Sequence, residues 1–224
     1  MAEITRKELL LALISSGDRP RLSGLDLSGL DLAEIDLRSA NLRNTKLGGA
    51  DLSYADLSEA VLWGAVLIDA NLTRVKLVSA NLTNADLTGA NLHEAIMSTC
   101  VLTGANLANA RLTFAKLSEV IANEAHLQGA NLNGANLTFA KIASCNFGEA
   151  NLSGADLSGS DLRGSDFRGA DLTFANFSGA DLSHTLLAGA NLSGANLRGI
   201  YLSGGELTEA TLDGAIMPDG TRHF

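Results

Sequence analysis

The sequence predicts an all-β solenoid, a chain wound around a leucine-lined interior. Three observations predict it. An apolar residue, large at all but Ala122, recurs at every fifth position from Leu22 to Met217, through 40 consecutive pentads without insertion or deletion. The position two before this centre is Ala in 26 of the 40 pentads, and the position two after it is Gly in 18. The chain is 46% hydrophobic but only 4% aromatic, with 23 Gly and 2 Pro among 224 residues, and is too rich in Leu and Ala for a disordered segment.

The period itself excludes the simpler structures. An α-helix turns about 500° per pentad, so the leucines would spiral over every face. A single flat strand places successive odd-spaced residues on opposite faces. A coil of short edges with a turn at each corner keeps every centre inward. Period-2 alternation also turns the Ala slot inward and the flanking Asp/Asn and Ser/Thr outward. The last slot sits at the corner, where Gly or Asn tolerates positive φ. Met97, Ala122, Ile142, Phe147, Phe167, Phe177 and Met217 replace Leu at the centre, and only Ala122 lacks bulk. A local distortion or small void is expected there, read as a packing defect rather than a functional kink.

Stretches such as Ala150–Gly154 (ANLSG), Ala155–Gly159 (ADLSG) and Ala190–Gly199 (ANLSGANLRG) resemble the pentapeptide-repeat proteins, and the resemblance covers residues 22–217. It implies a right-handed quadrilateral β-helix with four pentads per coil, about ten coils and a length of about 48 Å at the spacing of stacked strands. The GAIMPDG tail and the short opening segment resemble those of cyanobacterial members. Quinolone-resistance members are similar in fold but dimerise through a C-terminal module. No such helix is visible here, so a monomer or weak dimer is expected.

The ends lie outside the repeat. Residues 1–21 read as an N-terminal cap. Thr5 and Glu8 have capping-box spacing, Ile4, Leu9, Leu10, Leu13 and Ile14 form an apolar face, and Gly17 stops the helix. A helix over 6–16 would cover the first coil and its open edge. A basic face of only Arg6 and Lys7 argues against a membrane-surface helix. Residues 218–224 read as a tail opened by the turn signal Pro218-Asp219-Gly220, leaving the last coil bare apart from Arg222, His223 and Phe224.

Composition narrows the chemistry. With 16 basic and 25 acidic residues the net charge is −9, which argues against direct nucleic-acid binding. The longest apolar run, Leu9 to Ile14, is too short to span a membrane and a poor signal peptide. A cytoplasmic location is therefore expected. The interior reads as Leu and Ala with a few Phe, leaving no room for a cofactor. His93, His126, His184 and His223 have no metal-ligand spacing. Cys100 and Cys145 take inward Ala slots too far apart for a disulfide, so both are expected as free thiols. No catalytic, cofactor or metal motif is found.

The surface carries the functional reading. Asp26, Asp31, Asp36, Asp51 and Asp56 mark the early coils. Asp156, Asp161, Asp166 and Asp171 form a later belt, followed by Asp181, while Lys76, Arg111, Lys116 and Lys141 make the middle basic. Val61, Trp63, Val66 and Ile68 take outward slots around one corner of the third coil, with Val101 and Ile121 stacked on the side of Val61. This is the candidate partner-binding patch; β-propensity alone is the competing account. Phe114, Phe139 and Phe174 read as apolar cover over corners. A non-catalytic scaffold that binds a protein partner is the leading reading. A DNA-mimicking modulator of gyrase or topoisomerase, as some family members are, and a developmental regulator as in cyanobacterial relatives are the alternatives.

Overall fold

Each pentad has five backbone N–H groups to place, and the architecture follows from where they go. The computed structural model describes residues 5–9, 20–204, 207 and 209–224. The pentad Asp56–Ala60 shows the scheme. Asp56 N donates back to Ile35 O at 2.9 Å, while Leu57 N and Glu59 N donate forward to Lys76 O and Val78 O at 2.7 and 2.9 Å. Ala60 N closes a turn onto Leu57 O at 3.0 Å. The remaining N–H, on Ser58, donates to the Asp56 carboxylate at 3.0 Å. The Asp/Asn of the repeat is therefore a structural acceptor as well as an outward polar residue.

Parallel bridges join the Asp/Asn slots 20 residues apart, from Arg21↔Asn41 to Asn196↔Ile216. Four pentads thus complete one turn of the chain. Its four sides are 20–24, 25–29, 30–34 and 35–39 in the first turn and recur every 20 residues, each ending in a corner. Among the described residues the edges are not continuous strands but single bridged residues. The reason is arithmetic: the turn occupies four of the five residues, so only the Asp/Asn slot is left to pair. Every corner residue from Gly24 to Gly204 has a positive φ of 53–76°, as the third residue of a type II turn requires. Twenty of these corners are not glycine.

The centre residues from Leu22 to Leu197 are at most 5% exposed and form one continuous core. Phe147 and Phe167 stack at 4.7 Å between centroids, and Phe177 meets Phe167 edge-on at 6.4 Å. Ala122 borders a wholly apolar void of about 10 Å³, which Phe147, one turn and one side further on, also lines. The added bulk of Phe147 thus lies against the space that Ala122 leaves. The interior is less purely apolar than the repeat suggests: Thr45, Ser160, Ser165 and Thr185 are also buried. Each donates its hydroxyl to a centre-residue carbonyl at 2.6–3.0 Å. Ser165 does more. Its oxygen accepts from Cys145 N at 3.0 Å while it donates to Ile142 O at 2.8 Å, so the hydroxyl bridges a turn that elsewhere closes directly.

At the N-terminus the capping box forms: Thr5 N donates to Glu8 Oε2 at 2.7 Å and Glu8 N to Thr5 Oγ1 at 3.3 Å, opening a helical turn over 6–9. Leu9 is fully buried, and Arg6 donates to the Asp31 carboxylate and to the carbonyls of Asp31 and Ala33. The expected continuation over 10–16 and the stop at Gly17 lie outside the described residues. At the other end the tail does not leave the last turn bare. It folds back antiparallel, with Gly214 N on His223 O, His223 N on Ala215 O and Met217 N on Thr221 O at 2.7–2.9 Å.

Corner side chains follow a rule that the pentad alone does not contain. The rings of Phe114, Phe139 and Phe174 lean over Gly134, Gly159 and Gly194, one turn on; a Cβ on any of these glycines would lie 2.6 Å from the ring. Nothing lies within 4 Å of a Cβ on Gly154. Gly154→Ala is expected to cost about 1–2 kcal/mol, the penalty for the left-handed conformation. Gly134→Ala should cost more, and adding Phe114→Ala should return it to the Gly154→Ala level in urea melts. Leu132→Ala should cost about 2.7–5 kcal/mol in the same assay.

Candidate interaction surface

The wound chain places the predicted patch as the spacing implies. Trp63 precedes the Gly64 corner and Ile68 the next one, Asp69, and they are 42% and 38% exposed. Val61 and Val66 lie beside them on the first and second sides, half-buried because bridged neighbours cover their flanks. Val101 and Ile121 are also half-buried on the first side, and Asn81 pairs between Val61 and Val101. A backbone cost accompanies this apolar surface. Val61 and Val66 occupy the slot whose Asp or Asn normally accepts the N–H two residues on, so Trp63 and Ile68 lose that acceptor, worth about 1 kcal/mol each.

A second group escaped the sequence reading. Tyr54, Arg74, Glu94 and Phe114 are 20 residues apart and stack at the corner between the third and fourth sides, diagonally opposite Trp63. Arg74 donates to Glu94 at 2.7 Å and to the Tyr54 hydroxyl at 3.3 Å, with its guanidinium 5.8 Å from the Tyr54 ring centroid. His93 joins from the third side: Nδ1 is 2.7 Å from Thr113 Oγ1, Nε2 is 3.2 Å from the Glu94 carboxylate, and the ring meets Phe114 edge-on at 6.2 Å. Tyr54 and Phe114 are more than half exposed. The 20-residue recurrence of these corner positions was the available signal.

The acidic belt is largely engaged with its own chain. Arg163 grips Asp161 with two bonds at 2.8 and 2.7 Å, and Arg168 grips Asp166 at 3.0 and 2.6 Å. The same spacing pairs Arg38 with Asp36. These arginine hydrogen bonds, helped by the backbone N–H two residues on, hold all three carboxyls below the ordinary aspartate range. Asn176 extends a side-chain ladder from Asp156 to Asn196, with bonds of 3.0 Å on either side.

The described residues contain no cluster of three or more His, Cys, Asp or Glu able to hold a metal ion. Cys100 and Cys145 are free and buried, and burial pushes both thiols up to about 12, so neither is a thiolate near neutral pH. Two clefts lie near the C-terminal end, one lined in part by Arg168, Leu186 and Glu209, the other by Phe174, Asp213 and Arg222. Neither places a histidine beside a nucleophile. Among the described residues no helix is long and apolar enough to cross a membrane.

A family model of pentapeptide repeats matches residues 21–57, 50–89, 85–121, 110–148, 150–189 and 180–218. The chain belongs to the pentapeptide-repeat family. Among solved structures it is similar to HetL, a pentapeptide repeat protein involved in heterocyst differentiation regulation from the cyanobacterium Nostoc. The identity is 34% over 99% of this chain and 100% of HetL, with a TM-score of 0.54. It also matches the pentapeptide repeat protein Rfr23 from the cyanobacterium Cyanothece, at 24% identity over 52% of this chain and 90% of that one, TM-score 0.48. A trypsin-treated form of QnrB1, a plasmid-mediated fluoroquinolone resistance protein, matches at 22% identity over 82% and 91%, TM-score 0.44. The comparison with curated proteins gives no match.

The paired carboxylates of this pentapeptide-repeat chain set a pH dependence. Asp161 and Asp166 have lowered folded-state pKa values, so their contribution is present above the unfolded value near 4 and is lost as pH falls through the folded value. The melting temperature should decline between about pH 5 and pH 2. Asp161→Asn with Asp166→Asn keeps the backbone acceptors but loses the ion pairs. That variant should melt lower at neutral pH and converge with the parent toward pH 2.

Proposed function

We propose that this chain is a non-catalytic interaction scaffold: a right-handed quadrilateral β-helix of about ten coils over 22–217, capped by residues 1–21 and closed by the 218–224 tail. It binds a protein partner on an outer side and acts in the cytoplasm as a monomer or weak dimer. The observation that carries this reading is the departure at Val61 and Val66. The repeat favours Asp or Asn there because the side chain accepts a backbone N–H. Two successive pentads forgo that bond, worth about 1 kcal/mol each, and expose Trp63 and Ile68 on adjoining sides. Exposed Trp within an apolar patch is the composition of a binding hot spot.

Likeness to HetL over nearly the whole of both chains favours, as a second reading, a regulatory role in a cyanobacterium. DNA mimicry is less well supported. The acidic belt is partly neutralised by Arg163 and Arg168, and the middle of the chain is basic. Trp63→Asp with Ile68→Asp should leave circular dichroism and melting nearly unchanged and abolish partner capture from a cyanobacterial lysate. Equal capture by both proteins would remove the patch from the proposal. Inhibition of gyrase supercoiling by the purified chain would instead favour mimicry.

A further inference from the structure

The charge of the chain is banded along the column. Residues 20–70 hold 4 basic and 8 acidic side chains, and residues 119–224 hold 5 and 12; residues 71–118 hold 4 basic and 2 acidic. The winding then sorts the middle band by side. Arg111 lies on the third side, Lys76 and Lys116 on the fourth, and Arg74 at the corner between them. No basic residue of the band lies on the first or second side. Arg111, Lys76 and Lys116 are exposed. Lys76 has only a long 3.7 Å pairing with Asp56, and Arg74 is matched by Glu94. Among the described residues Arg111 and Lys116 have no ion pair.

Two further features coincide there. Lys76, Ile96 and Lys116 are successive partners in one bridge column, and Arg111 sits in the neighbouring column. All four occupy the slot whose Asp or Asn normally accepts a backbone N–H, so the repeat itself gives no reason for them. The same corner also presents Tyr54 and Phe114, held by contacts to Arg74 and His93. Arg and aromatic residues are the enriched anchors of protein interfaces. The cationic side chains supply steering and specificity for an opposite charge.

We propose that the corner formed by Tyr54, Arg74 and Phe114, with Lys76, Arg111 and Lys116 around it, docks a short acidic segment of a partner protein that carries an apolar anchor. The proposal rests on the reading of the chain as a protein-binding rod but not on the Trp63 patch, which lies on the first and second sides. A short occupant follows from the electrostatics. The favourable band spans only about two to three turns, roughly 10–15 Å at the spacing of stacked strands. The acidic regions on both flanks would repel a longer polyanion such as nucleic acid.

The test is to pan a random dodecapeptide display library against the full chain and assay the enriched peptides by fluorescence anisotropy. Enrichment of acidic peptides with at least one aromatic or aliphatic residue is expected. Their affinity should fall about tenfold or more in Arg111→Glu with Lys116→Glu, and weaken with salt. It should be unchanged in Trp63→Asp with Ile68→Asp. Both altered residues of the charge-reversed variant are exposed, so its circular dichroism spectrum should match the parent. Enrichment of neutral or basic peptides, or equal binding by the charge-reversed protein, would overturn the proposal. Tighter binding of single-stranded oligo-dT, or a dimer of this chain dissolved by the charge reversal, would do the same. Peptide loss only in the Trp63 variant would remove this corner while leaving the scaffold reading intact.

Discussion

Everything in this structure depends on satisfying five N–H groups in every five residues. Three go to neighbouring turns, one closes a turn within the pentad, and the last goes to the side chain of the Asp or Asn two residues before it. Buried backbone donors without acceptors are costly, and a column this narrow has few other acceptors to offer. The Asp/Asn slot is therefore set by the backbone. The same accounting explains why, among the described residues, the edges are not strands. Four residues are consumed by the turn, and one remains to bridge.

This constraint changes how the surface is read. An aspartate on the rod is weak evidence of an acidic partner or of mimicry, because architecture already asks for it. Its carboxylate is partly occupied by a backbone N–H, and in the late belt by an arginine two residues on. The informative positions are those where Asp or Asn is missing. Eight of them, Val61, Val66, Lys76, Ile96, Val101, Arg111, Lys116 and Ile121, lie between residues 61 and 121; others, such as Arg21, Lys46, Lys141, Leu186 and Ile216, lie nearer the ends. Within that stretch Val61, Val66, Val101 and Ile121 lie on the first and second sides, while Ile96 shares the fourth side with Lys76 and Lys116, and Arg111 lies on the third.

The corners obey a second, steric constraint. Left-handed backbone at every corner favours Gly, yet twenty corners carry side chains. A large ring there needs room one turn further on, and Phe114, Phe139 and Phe174 each lean over a glycine 20 residues later. Glycine at those partner positions thus serves its neighbour as well as its own φ. The exposed phenylalanines are also covers for bare backbone, which tempers their weight as binding residues except where Phe114 joins His93, Arg74 and Tyr54.

The sequence by itself determined the inward leucine column, the inward small residues, the corner slots, the free buried cysteines and the exposure of Trp63 and Ile68. An unbroken period of five allows one assignment of inside and outside, and local chemistry does the rest. The expected weakness at Ala122 was equally legible, because a missing side chain in a packed column leaves space whatever its surroundings. Only the tertiary structure decided which residues meet across turns. The 20-residue stacking makes neighbours of Tyr54, Arg74 and Glu94, lays Phe114 over Gly134, and inserts the Ser165 hydroxyl into the turn at Cys145. The return of the 218–224 tail belongs with these: it depends on unpaired backbone at the last turn, a property of where the column ends rather than of any residue in the tail. Such contacts join positions far apart in the chain, and no local pattern encodes their geometry.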